Sequence, residues 1–164
     1  MVKRIPEGSS KNSENKTRRH TKKWKPAAGG KWKMNVDGSF ITPIRHGGTG
    51  GILRDDQGNF KEAFAILVST VASAKQIDLC AIKEGLRLDL QGSYVGLEGV
   101  LHDIRDAMSS MPTISIQHTN RCADRIAHRL TSVAYEGQNA VVWLSSPPGS
   151  IIDLLTYDVT HMSD

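Results

Sequence analysis

Apolar and polar side chains alternate through Met34-Asn35-Val36-Asp37-Gly38-Ser39-Phe40-Ile41. A period of two belongs to a strand with one face against a core, and Trp32 to Ile41 reads as that strand. The segment therefore needs a sheet around it and a packed layer beneath it. It also carries an acid, Asp37, close to that core. A carboxylate in such a place needs a positive partner, and a divalent cation is a common one.

Two more strand-like runs follow. Thr49 to Arg54 reads as a strand in which Gly50-Gly51 suggests a bulge or a close backbone approach. Thr42 to Gly48 reads as the loop before it, and Asp55-Asp56-Gln57-Gly58 as a tight turn after it. Asn59 to Val68 is the third strand, and the short connections predict an antiparallel meander. The period then changes. Ala74 to Leu90 places Ile77, Cys80, Ala81 and Leu88 on one helical face. Tyr94 to Leu97 is a candidate short strand, Val100 to Met108 a helix, and Thr113 to His118 a strand with Ile114 and Ile116 alternating. Asn120 is placed to cap a helix running to about Tyr135, with Ala123, Ile126, Ala127 and Leu130 inward. An apolar stretch, Ala140 to Leu144, and a short helix from about Ile151 to Val159 close the chain. Antiparallel strands followed by alternating helices and strands predict an α/β fold.

Charge divides the chain in two. Residues 1–33 hold eleven Lys/Arg against two Glu, a net of +9, while the remainder holds ten against fifteen Asp/Glu, a net of −5. Residues 1–30 lack hydrophobic period and read as a basic disordered arm ending in the linker Pro26-Ala-Ala-Gly-Gly30; residues 31–160 read as one domain. Such an arm attracts polyanions with salt-sensitive affinity, serves as a nuclear-import signal, or is simply a solvated tail. A general nucleic-acid binder would be basic throughout. The acidic body instead suggests a localised task such as holding cations.

No run reaches the roughly 18 apolar residues of a membrane span, and the N-terminus has no secretory signal. Cys80 and Cys122 give neither a disulfide framework nor metal-ligand spacing. An intracellular protein, nuclear or cytoplasmic, is expected, without membrane contact and monomeric.

The succession NVDGSF, GGTGGILRDDQGNF, QIDLCAIKEGLRL, ISIQHTNRCADRIAHRL and VVWLSSPPGSIIDLL resembles the plant ribonuclease H-like domain of retroelement-derived reverse transcriptases. The likeness runs from about Lys31 to Leu155, with the glycine-rich hairpin matched at Gly47 to Phe60 and the first helix at Ile77 to Leu86. No single motif is specific, but their order is. The resemblance implies a mixed five-stranded sheet, with three antiparallel strands and then alternating helices and strands. It implies cleavage of the RNA strand of RNA–DNA hybrids by carboxylates around two Mg²⁺ ions, one activating water and the other stabilising the leaving oxygen.

Carried over by position, Asp37 would bridge both metals, and Asp124 would hold the second. Asp78 stands where the family has Glu, one methylene shorter, as a ligand or as a solvated helix acid. Glu98 either aligns with the family's Glu in an E-x-D-S motif whose Asp is lost, or itself takes the strand end as the fourth ligand. A block of helix and loop between Glu98 and Val100 is missing relative to the family, which implies a shortened helical layer. His118 keeps the position of a family His beside the active site, or is an ordinary strand-end His. Gly38, Ser39, Gly47, Gly48 and Gly50 would let the backbone approach RNA and read the 2′-hydroxyl. Three function classes follow: a magnesium-dependent hybrid ribonuclease, a catalytically impaired nucleic-acid-binding relative, and a shortened chain that does not fold stably.

Overall fold

The computed structural model describes residues 23–87, 97–110 and 115–162. Three strands open the fold: β1 (Lys33–Ile41), β2 (His46–Arg54) and β3 (Phe60–Val68). They form the expected antiparallel meander, with Asp37 opposite Gly50 and Gly50 opposite Ala65. The β2–β3 turn is set by Asp55, whose carboxylate accepts the N–H groups of Gln57 and Asn59, and by Gly58 at φ +80°. A short strand, β4 (Val141–Trp143), pairs antiparallel with β3 and completes the order β1-β2-β3-β4. Among the described residues β1 is therefore an edge strand.

Among the described residues α1 (Ala74–Arg87) and α3 (Arg125–Gly137) lie against the sheet, with α2 (Leu97–Ser110) packed on α1 and α4 (Ile152–Thr160) on α3. Ser73 begins α1 by accepting the Gln76 N–H, while the Gln76 side chain accepts the Ala72 N–H. The first bond fills one of the donors that a helix start leaves open, and the second ties the residue before the cap to the first turn. Strand alternation decides which helix lies where. Met34, Val36 and Gly38 face α1, which comes close through Gly85 and Ile77. Asp37 faces α3, as does its partner Gly50. The sheet thus separates two cores. Val71, Ile77, Cys80 and Ile104 lie on the α1–α2 side; Ile52, Ala65, Ile126, Leu130, Ile151 and Leu154 lie on the α3–α4 side. Both cysteines are free.

The result is a mixed α/β fold with helices around an antiparallel sheet, and it departs from the sequence reading in several places. The five-stranded mixed sheet is not reproduced among the described residues, where all four strands are antiparallel. Residues 115–118, expected to end a strand, form none, and Ile116 is 45% exposed. Alternation makes a segment suitable for a sheet but supplies no hydrogen-bonding neighbour, and pairing is what stabilises a strand. Tyr94 to Gly96 of the other candidate strand, Leu88 to Leu90 of the first helix, and Thr113 and Ile114 lie outside the described residues; Leu97 opens α2. Strand β2 begins at His46 rather than Thr49, and a 3₁₀ turn, Thr42–Ile44, replaces part of the expected loop. Asn120 caps a single 3₁₀ turn, Arg121–Ala123, accepting the Cys122 N–H at 2.9 Å; α3 starts only after Asp124.

Trp24, in the stretch assigned to the arm, is 2% exposed. Its indole N–H donates to Asn35 Oδ1 at 2.8 Å, and the Arg54 guanidinium lies 3.5 Å from the ring centroid. Arg54 is itself 1% exposed and donates to Asp158 Oδ2 at 2.9 Å. An aromatic face and a carboxylate together accommodate a buried cation that neither core could hold alone.

Candidate acidic site and its basic rim

Two of the sequence-selected acids, Asp78 and Asp124, lie within reach of the charge of a third, Asp37. Asp37 comes from β1, Asp78 from the N-terminal part of α1, and Asp124 from the junction between the 3₁₀ turn and α3. The close approach of Gly38 to the Ile77–Asp78 backbone brings the α1 start to β1: a Cβ there would lie 2.9 Å from Ile77 backbone atoms. Burial first, and then the Asp37 charge, push Asp124 up to about 7. The same two causes, in the same order, raise Asp78, opposed by Arg121. Asp124 is 8% exposed, so it is not the solvated first-turn acid that its helix-start position permits. The Asn35 side chain hydrogen-bonds it and counters part of the shift, yet Asp124 Oδ1 is buried without a hydrogen-bond partner.

Asp37 is already engaged. Its Oδ2 lies 2.8 Å from His128 Nδ1. His128 was not selected from the sequence. The available signal was its position four residues after Asp124, one helical turn along the same face. Asn35 was also missed, although it sits two positions before Asp37 on the same strand face.

The other candidates fare differently. His118 is exposed, in a segment without regular structure. Glu98 lies on the first turn of α2, and its side chain is outside what is described. Gly47, Gly48 and Gly50 are buried, and protein occupies the space beside them. A Cβ at Gly47 would meet Ile77, one at Gly48 the Thr131 carbonyl, and one at Gly50 the Ala127 carbonyl. These glycines admit helices α1 and α3 to the sheet, which replaces the RNA approach expected of them. The Ser39 carbonyl accepts the Tyr135 hydroxyl, which in turn accepts the Gly48 N–H at 3.0 Å, so this part of β1 is tied to α3.

A two-ion magnesium centre needs several carboxylates around one space. Among the described residues no group of three or more His, Cys, Asp or Glu side chains is placed to hold a metal. The orphaned Asp124 oxygen is an atom that a cation would satisfy, but with Asp37 on His128 and Asp78 exposed, it is not a ligand set. The residues described do not fit the two-ion centre.

Beside the acids runs an open cleft of about 350 Å³ lined by Arg121, Arg125, His128, Arg129, Ser132 and Leu154. Arg129 Nη1 binds both Asp153 oxygens, at 2.6 and 2.8 Å, and Arg125 lies over the Tyr157 ring at 4.3 Å. These contacts orient the guanidinium groups along the outward face of α3. Planar guanidinium groups suit phosphate oxygens. Among the described residues no helix is long and apolar enough to cross a membrane.

A family model described as "Reverse transcriptase-like" matches residues 35–99. Among solved structures, the N-terminal RNase H domain of Rv2228c from Mycobacterium tuberculosis, studied as a fusion with maltose-binding protein, is similar at a TM-score of 0.52 and 11% identity, covering 65% of this chain and 97% of that one. The comparison with curated proteins gives no match. Together these place the chain in a distant RNase H-like, reverse-transcriptase-associated fold relationship; at such identity the structural likeness speaks for fold alone.

Proposed function

We propose that the chain is a nucleic-acid-binding domain of the ribonuclease H-like kind in which the two-metal hydrolytic centre is impaired. One observation carries this reading: the acid that would bridge both metals, Asp37, is bound to His128 beside an arginine-lined cleft, with no three-ligand group among the described residues. The body of the chain is acidic overall, so arginines gathered at one cleft favour a local phosphate track over diffuse attraction. The ligand class is an RNA–DNA hybrid or RNA, held by Arg121, Arg125 and Arg129, with the basic arm adding affinity that falls as salt rises. The plant retroelement kinship, the shortened block after Glu98 and an intracellular location belong to the same reading. The enzyme alternative, hydrolysis of the RNA strand with Mg²⁺, keeps one observation in its favour, the unpartnered Asp124 oxygen.

The test compares binding with turnover. The full chain is expected to bind a labelled RNA–DNA hybrid in EDTA, with affinity that drops steeply with salt, and to leave the hybrid uncut when Mg²⁺ is added. Magnesium-dependent cleavage that disappears in Asp37→Asn would restore the enzyme. Absence of hybrid binding at low salt would end the proposal.

A further inference from the structure

The contact between Asp37 and His128 matters for the ring nitrogen that it leaves open. An ionised carboxylate only accepts hydrogen bonds, so with Asp37 Oδ2 at 2.8 Å the His128 Nδ1 carries the proton. In the neutral ring the lone pair is then on Nε2. The His128 side chain is half-exposed, and among the described residues nothing hydrogen-bonds its Nε2. The ring lines the same cleft as Arg121, Arg125 and Arg129. An imidazole oriented by an acid, with guanidinium groups beside it, has the parts needed to deprotonate a hydroxyl next to a phosphate. RNA brings that hydroxyl with it, because its 2′ oxygen neighbours the 3′ phosphate; DNA lacks it.

We propose that this cleft cleaves single-stranded RNA without a metal, with His128 as general base and Asp37 as its positioning residue. His128 Nε2 takes the proton of a 2′-hydroxyl. The 2′ oxygen bonds to the adjacent phosphorus as the bond from phosphorus to the 5′ oxygen breaks. The leaving 5′ oxygen takes a proton from water, and the imidazolium releases its own to the hydroxide so formed. The products are a 2′,3′-cyclic phosphate and a 5′-hydroxyl, with no oxidant or reductant involved. Negative charge grows on the phosphate oxygens during attack, and guanidinium groups offset it. Arg129 shares its charge with Asp153 at 2.6 Å and Arg125 with Asp158 at 3.6 Å, whereas no carboxylate among the described residues pairs with Arg121. Arg121 is therefore the guanidinium with most charge to offer. Attack needs the 2′ oxygen in line with the leaving oxygen. A stacked A-form hybrid holds it out of line, while a flexible single strand visits that geometry, so the hybrid is bound uncut. The inference rests on the reading that the cleft holds nucleic-acid phosphates; the chemistry is independent of the two-ion centre.

The experiment uses the full chain in EDTA with three labelled probes: oligouridine, oligodeoxyuridine and a blunt RNA–DNA hybrid. Only oligouridine is expected to be cut, leaving 2′,3′-cyclic phosphate ends. His128→Ala, purified identically, is expected to cut it roughly 10²- to 10⁴-fold more slowly while still binding it. Asp37→Asn is expected to lower kcat and spare KM, since Asp37 acts through the ring and not on RNA. Circular dichroism checks that both variants fold. If oligouridine is bound and left whole, if its ends are 3′-hydroxyls, or if kcat is unchanged in either variant, the activity is refuted and the hybrid-binding proposal is untouched. If oligouridine is cut as expected but the hybrid does not bind, the activity stands and the hybrid-binding proposal falls. If no probe binds, both fall.

Discussion

Replacing Asp124 by Asn should make the protein more stable in alkaline than in acidic buffer, relative to wild type. In the folded state the carboxyl is pushed up to about 7 by burial and by Asp37, from an ordinary value of 3.8. A carboxyl whose folded value is raised binds its proton more tightly when folded. Its favourable share of stability is fully present below pH 3.8, declines as pH rises, and is gone above about 7. The shift spans about three pH units, each equivalent to roughly 1.4 kcal/mol. Ionised Asp124 therefore destabilises the fold by about 4 kcal/mol at pH 8 and by less than about 2 kcal/mol at pH 5. Asparagine does not ionise. Any loss from its different hydrogen bonding is the same at both pH values and cancels in the difference. Urea melts of wild type and Asp124→Asn at pH 5 and pH 8 should then show the variant gaining about 2–3 kcal/mol more at pH 8, or about 10 °C in Tm for a domain of this size. Asp37→Asn should give a smaller change in the same direction, because burial remains the larger cause for Asp124. Equal differences at the two pH values would show that Asp124 is not held in this environment, and the gathering of acids around β1 would go with it.

Other consequences are open to measurement. Asp158→Ala removes the partner of a guanidinium that is 1% exposed and should lower unfolding stability by about 3–5 kcal/mol in urea; a loss below about 1 kcal/mol would refute the buried pair. Gly50→Ala would place a Cβ 2.7 Å from the Ala127 carbonyl and the Leu130 Cβ, and should cost about 2–3 kcal/mol in the same assay because the helix backbone cannot yield locally. Tyr135→Phe deletes the hydroxyl joining the Ser39 carbonyl to the Gly48 N–H and should cost about 1–2 kcal/mol, seen also as faster amide exchange at Gly48.

Much of the fold was legible because its elements are periodic. β1 was expected from Trp32 to Ile41 and runs Lys33–Ile41; the third strand was expected from Asn59 and begins at Phe60; α1 begins at Ala74 as read. The failures share a cause. Residues 115–118 carry a strand pattern, but pattern does not reveal a pairing partner. The glycines of β2 looked like an opening for a ligand, and only the packed structure reveals that α1 and α3 fill it. At the site, Asp37 acts electrostatically on both Asp78 and Asp124, yet the described residues form no three-ligand group. The residues that modify them were hidden. His128 reaches Asp37 across 91 positions, with only its helical spacing from Asp124 to point to it, and Asp158 reaches Arg54 across 104, with no local signal at all.

The buried indole of Trp24 moves the practical edge of the folded unit upstream. Trimming the chain back to residue 31 would strip the lid from Arg54 and leave Asn35 without its donor, next to the acid whose ionisation is already unfavourable. Trimming to residue 23 would discard most of the basic extension and keep that lid. A limited digest should accordingly yield a resistant fragment that retains Trp24, so that the extension is rooted at Asn35, two strand positions before Asp37.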